Sequence, residues 1–257
     1  MAFQIIRHAF RMVFGNFGQA LRLSVGPLLI AAIIIYGLAS ALDIGFVSIA
    51  FMFMNPAAAD PLIAFFILVA LVVGAFVSAW VAVSWHRFIL LEEYTNWLPA
   101  WRQRPVGAYL LTSLGIGFWV FLATFLVSLL FGVLIAVLQL QNSAVAAAVV
   151  GFAVGALTSY VWFRLALSLP ALSIGRSMKL RQSFDETIKV SATIWNVVFI
   201  LIAINAIANV ATGFVAPGSL RIQLALDGLV FWVNFMVGLS VLTTLYGHLI
   251  EGRELPN

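Results

Sequence analysis

Two arginines occupy places where a cation is costly. Arg87 follows Trp85-His86 and precedes the apolar run Phe88 to Leu91, and Arg164 follows Trp162-Phe163 and precedes Leu165-Ala166-Leu167. A guanidinium below the headgroup level of a membrane needs a partner, and its planar fork suits a phosphate or carboxylate held through two parallel bonds. The common arrangement is snorkelling to lipid phosphate, with Trp85 and Trp162 as interface anchors. The sharper alternative is one shared site for an anionic headgroup or solute, and a third is pairing with Glu92, Glu93, Asp185 or Glu186. Arg7 and Arg11 join Arg87 and Arg164 as candidate lipid- or anion-binding residues.

The histidines His8, His86 and His248 all fall at one predicted boundary. None has the i, i+4 spacing of a zinc-binding pair. With no cysteine and no carboxylate inside the apolar runs, the ligand supply is poor and no metal is expected. Asn205 and Asn209 lie one helical turn apart, and Asn234 lies in the next apolar run. Amides there need partners, with interhelical hydrogen bonding as the default and a polar solute path as the alternative. Ala147, Gly151, Gly155 and Ser159 repeat every four residues, which predicts a close helix contact within the chain or between two copies. The sequence has no G-x-x-x-x-G-K-[ST], H-E-x-x-H, G-x-S-x-G or G-x-G-x-x-G, so no catalytic residue and no cofactor is nominated.

What must position these residues follows from composition. Of 257 residues, 64% are hydrophobic and 9% charged, where a soluble domain is roughly 45–50% apolar and about 25% charged. Lipid is therefore the expected solvent, and the net charge of +4 reads as a membrane-surface bias rather than a nucleic-acid face. Gaps between charges predict an all-α membrane protein, a single domain over residues 1–257, with six transmembrane helices arranged as three hairpins. The spans fall near 23–42, 62–85, 109–131, 144–163, 194–214 and 229–249, each close to the length a bilayer requires. The third has room to run to Leu140 and the fourth to Pro170. Turn chemistry marks the hairpins at Asn55-Pro56 with Asp60-Pro61, at Gln139 to Ser143, and at Pro217-Gly218-Ser219.

Sorting the 13 Lys and Arg by side leaves Arg221 alone opposite the termini, with Asp43, Asp60 and Asp227. That bias predicts cytoplasmic termini. The first apolar stretch is expected as a span and not a leader, being longer than a leader's 7–15 apolar residues. Before it, residues 1–22 form an amphipathic segment. Phe3, Ile6, Phe10, Val13 and Phe17 recur at helical spacing opposite Gln4, Arg7, Arg11, Gly18 and Arg22, which predicts a helix half-sunk in the cytoplasmic leaflet. Charged stretches at 92–108 and 176–192 precede the other hairpins, and Ser183 with Glu186 matches a capping box that would start a helix. The chain thus reads as three units of interfacial segment plus hairpin.

The run Val83-Ser84-Trp85-His86-Arg87-Phe88-Ile89-Leu90-Leu91-Glu92, then Leu167-Ser168-Leu169-Pro170-Ala171 leading into Ser183 to Thr187, and the closing Leu245-Tyr246-Gly247-His248-Leu249 resemble uncharacterised bacterial polytopic membrane proteins. These are similar to the membrane domain that some bacterial glycerophosphodiester phosphodiesterases carry ahead of their catalytic barrel. The resemblance implies a bacterial inner-membrane location and a six-helix bundle, and no activity, since these 257 residues leave no region to form the barrel. The expectation is a non-enzymatic membrane-organising, lipid-contacting or accessory component. Its partners would be membrane lipids, and possible ones are a protein or a second copy, with no nucleic acid. A transporter or channel for a small or amphipathic solute, using the three asparagines with Arg87 and Arg164, is the alternative.

Overall fold

Each apolar window becomes one long helix, because a chain in hydrocarbon has to satisfy its backbone internally. The computed structural model describes residues 1–45, 48, 49, 52, 60–215 and 218–255. Six helices are long and apolar enough to cross a membrane: α2 Phe17–Ala41, α3 Pro61–Leu91, α4 Val106–Val137, α5 Ala144–Leu165, α8 Ser191–Val215 and α9 Leu220–Leu249. Three shorter helices, α1 Ala2–Gly15, α6 Ser168–Ser173 and α7 Leu180–Ile188, accompany them, and no strand occurs among the described residues. The pairs α2–α3, α4–α5 and α8–α9 each pack as a hairpin. Asp60 starts α3 by accepting from the Leu62 amide at 2.8 Å with Pro61 beside it, and Ser143 caps α5 through the Ala146 amide at 3.2 Å. Both act as N-caps do, satisfying an orphan amide. The turn residues Asn55, Pro56 and Pro217 lie outside the described residues.

The helices overrun the windows. α3 continues past residue 85 to Leu91, and α9 begins at Leu220, so Arg221 and Asp227 lie within it. α5 stops at Leu165 rather than running to Pro170. The chain there turns into α6, whose Ser168 to Ala171 are buried against α3, α4 and α9.

Three local expectations are corrected. Residues 1–22 are not one helix: Asn16 breaks it, its side-chain amide donating to the Met12 carbonyl at 2.9 Å, and Arg22 belongs to α2. The stripe of α1 that is buried is Ile5, Ile6, Ala9 and Val13, packed on α9 and α8. Of the face expected to sink into lipid, Ile6 and Val13 therefore cover protein instead, while Phe3 and Phe17 are exposed. Residues 92–105 contain no helix. Nor does Ser183 begin one, since α7 starts at Leu180.

The core is concentrated at the end of the bundle that carries the basic residues. Trp85, His86, Leu167, Leu169, Ile194, Leu242, Leu245 and Tyr246 are fully buried there. Beyond Val120 no residue of α4 is buried, and before Ala156 none of α5 is. Lipid supplies no hydrophobic drive between helices, so tight packing has to come from elsewhere.

The 92–105 segment folds back along the bundle. Its Pro99 carbonyl accepts from the Trp80 indole at 3.1 Å, its Thr95 carbonyl from Gln19 at 3.2 Å, and Trp101 meets Phe76 edge-on at 6.1 Å. Gly26 makes the approach possible, since a Cβ there would stand 1.9 Å from the Trp97 carbonyl oxygen. Gly26→Ala is expected to cost roughly 1–3 kcal/mol, the usual penalty of overpacking, read as a lower unfolding temperature in detergent. Gly151→Ala, where a Cβ meets nothing within 4 Å, should leave that temperature unchanged.

Candidate functional site

Arg87 leaves α3 one turn before its end and finds protein rather than lipid. Its Nε donates to Glu93 Oε2 at 3.0 Å, Nη2 donates to Glu93 Oε1, and Nη1 donates to the Ser173 carbonyl at 2.8 Å. Arg104 reaches the same carboxylate at 2.9 Å. Glu93 and Arg104 are the two ends of the folded-back loop, so the trio closes its mouth and ties it to the end of α6. Of the pairings read from sequence, Arg87 with Glu93 is the one formed. The hydrogen bonds from Arg87, followed by the charges of Arg104 and Arg87, hold the Glu93 carboxyl below its ordinary 4.5 against the opposing effect of burial.

Arg164 is buried and has no carboxylate. Its Nε donates to Thr187 Oγ1 at 2.8 Å, Nη1 to the Tyr160 hydroxyl at 2.7 Å and Nη2 to the Phe184 carbonyl at 2.9 Å, with the guanidinium 3.9 Å over the Phe184 ring. A planar cation on an aromatic face is stabilised by the ring's quadrupole. Ser183 explains why the capping-box pattern misleads: its Oγ donates to the Arg164 carbonyl at 2.8 Å and accepts from the Leu167 amide at 3.2 Å. It caps the end of α5, not the start of α7. Among the described residues Arg87 and Arg164 share no bonding partner, and each fastens the segment that follows its hairpin. Arg253 acts similarly at the C-terminal end, pairing with Glu251 at 2.8 Å and donating to the Leu90 carbonyl at 3.2 Å.

The histidines part company. His86, expected at a boundary, is fully buried and bridges three helices, with Nδ1 2.7 Å from Thr243 Oγ1 and Nε2 3.1 Å from the Tyr109 hydroxyl. His8 and His248 line a cavity of about 230 Å³ with Thr243, Gly247 and Arg253. Burial, then the Arg11 charge, push His8 below its ordinary value. Arg11 is exposed and Arg7 partly buried on α1. Among the described residues no three His, Asp or Glu side chains converge to hold a metal.

The amides do meet, in part. Asn205 and Asn234 line one groove of about 570 Å³ between α5, α8 and α9, with Thr158, Ser159, Trp162 and Gly238. Asn209 is exposed and bonds along its own helix to the Asn205 carbonyl at 2.8 Å and to its amide oxygen. The Asn234 side chain makes no hydrogen bond among the described residues. Counting 1.5 Å per residue, Asn205 lies about 21 Å from the basic end of α8 and Asn234 about 22 Å from that of α9. Gly151 and Gly155 are exposed with nothing near them, so the expected close contact is not made within the chain. Thr158 escapes sequence reasoning because a hydroxyl can bond back within its helix, as it does to the Val154 carbonyl at 2.7 Å, and Ser159 is legible only as a member of the small-residue stripe. Arg104 is legible in the sequence only as a loop charge.

Comparison of the chain with protein-family models, curated proteins and solved structures returns no match.

The Glu93 clasp carries a pH signature. A carboxyl whose folded pKa is depressed contributes stability that is present above its unfolded value and lost as pH falls through the folded one. Protection of residues 94–103 from limited proteolysis, scored against an unfolded control at each pH, should therefore hold from neutrality through 4.5 and fail only below it. Glu93→Gln should remove the protection at every pH. Arg164→Ala should free α7, costing about 2 kcal/mol for its lost charged hydrogen bonds, with proteolysis appearing between residues 180 and 188.

Proposed function

We propose that this chain is a non-enzymatic, lipid-contacting protein of a bacterial inner membrane, with both termini cytoplasmic, that takes an amphipathic lipid sideways into the groove between α5, α8 and α9. The groove carries this conclusion. It sets Asn205, Asn234, Thr158 and Ser159 among apolar walls on three membrane-length helices, and Asn234 is an amide without a partner. A polar group held against apolar side chains without a hydrogen bond is costly, and a ligand with an apolar chain and a polar ester or hydroxyl group meets both surfaces.

Orientation rests on the basic residues gathered at one end, and kinship with the membrane domains of glycerophosphodiester phosphodiesterases rests on the short motifs around Trp85 and Tyr246. A solute path joining the asparagines to Arg87 and Arg164 gains no support, because both guanidiniums are occupied by Glu93, Ser173, Thr187, Tyr160 and Phe184. Native mass spectrometry after gentle extraction tests the binding. The wild type should retain phospholipid, and an Asn205→Leu, Asn234→Leu variant should retain about thirtyfold less, each of the two lost contacts being worth on the order of 1 kcal/mol. Equal retention would overturn the lipid site. Reporter fusions after Asn257 should be active in the cytoplasm and near Ala58 in the periplasm, and the reverse would overturn the orientation.

A further inference from the structure

The long helices are too long. α3 has 31 residues, about 46 Å at 1.5 Å per residue, which exceeds a hydrocarbon core of about 30 Å by about 16 Å. α4 with 32 residues exceeds it by about 18 Å. The surplus has a location. On α3 the exposed large apolar side chains stop at Val72 until Leu91, and on α9 they stop at Phe231. Beyond those points, toward the basic end, the side chains of α3 and α9 face protein, while α4 exposes Leu111, Leu114 and Phe118 there.

Aromatic residues mark the same level. Trp80 lies 11 residues, about 16 Å, from the basic end of α3, and there it receives the tip of the folded-back loop. Trp119 lies 13 residues, about 20 Å, into α4, and shares a recess with Leu180 and Phe184 of α7. Trp232, just past Phe231, meets Phe17 at 5.9 Å where α2 begins. At the loop tip Trp97, Leu98 and Trp101 are exposed, 48–59% of each surface open. Arg102 lies over the Trp101 ring at 5.6 Å. On α7, Phe184 and Ile188, four residues apart, are exposed on the same face as Arg181, whose guanidinium pairs with Asp185 at 3.8 Å.

We infer that the bilayer boundary on the basic side runs through this aromatic ring and not at the helix ends, with the tip of the 92–105 loop and α7 seated in the ester and headgroup zone of the phospholipid. Trp and Tyr prefer that zone, where an apolar ring and a polar edge are both satisfied, and an amphipathic helix lies flat in it. The loop's backbone suits the depth, since the Thr95 and Pro99 carbonyls that water would otherwise satisfy accept from Gln19 and Trp80. Outside the hydrocarbon stand the last 16 Å or so of α3, Arg87, His86 and the buried core. A core in contact with water has the hydrophobic effect to assemble it, which accounts for dense packing at that end alone.

The chain contains no cysteine, so single-cysteine variants carry a fluorophore at chosen depths. Leu98→Cys and Asn96→Cys sample the tip, Glu92→Cys the loop mouth and Leu129→Cys the bilayer interior. Each is reconstituted in phosphatidylcholine–phosphatidylglycerol vesicles containing lipid spin-labelled either near the ester or near the chain end. The tip fluorophores should be quenched at least about threefold more by the near-ester label, Glu92→Cys by neither, and Leu129→Cys mainly by the chain-end label. Tip fluorophores quenched by neither, as in a loop in water, would overturn the placement. So would strong quenching at Glu92→Cys, the result expected if tilt buried the full helix lengths.

Discussion

Hydrocarbon offers a backbone no hydrogen bonds, and that constraint decides where this chain keeps its irregular and polar parts. Below the aromatic ring the described chain is nearly all helix. The non-helical segment 92–105, the break at Asn16, the buried turn into α6 and the ion pairs of Glu93 all gather at the basic end. Each of those departures from helix is matched by a named donor or acceptor: Asn16 to Met12, Gln19 to Thr95, Trp80 to Pro99, Ser183 to Arg164.

The two arginines do equivalent work by different chemistry. Arg87 is partly exposed and is answered by a carboxylate, while Arg164 is buried and is answered by two hydroxyls, a carbonyl and an aromatic face. Desolvating a carboxylate beside Arg164 would add a second cost of the same kind. A ring and neutral oxygens offset the cation's burial without it. Both side chains sit at the end of a hairpin's second helix and grip what comes next in the chain, so the similarity of Trp85-His86-Arg87 to Trp162-Phe163-Arg164 has a common structural use.

The six spans were legible because lipid acts residue by residue, so charge gaps and turn residues report them directly. The ends were not, because α3 and α9 continue through a protein core whose apolar side chains look like lipid-facing ones. Ser183 and Glu186 present a local capping pattern, yet the partner of Ser183 is 19 residues away. The glycines of α5 present a local contact pattern, yet no helix of this chain arrives. Asn205 and Asn234 could be nominated from their cost in lipid alone. Their placement in one groove depended on how α8 and α9 cross α5.

The α4–α5 hairpin is anchored at one end only. Tyr109 and Arg164 fix it among buried partners and Phe152 stacks on Phe199 of α8 at 6.0 Å, while past Val120 and before Phe152 none of its residues is buried. Such a hairpin is a cantilever. α5 is 22 residues, about 33 Å, long, so a tilt of about 5° at Arg164 would carry the Ser143 end through about 3 Å. The groove beside Thr158 and Ser159 lies near the fulcrum, where the same tilt moves the wall by well under 1 Å. Bending forces from the surrounding bilayer therefore act on the far end with leverage, and the amide-lined recess keeps its dimensions while the opposite side of the protein widens or narrows.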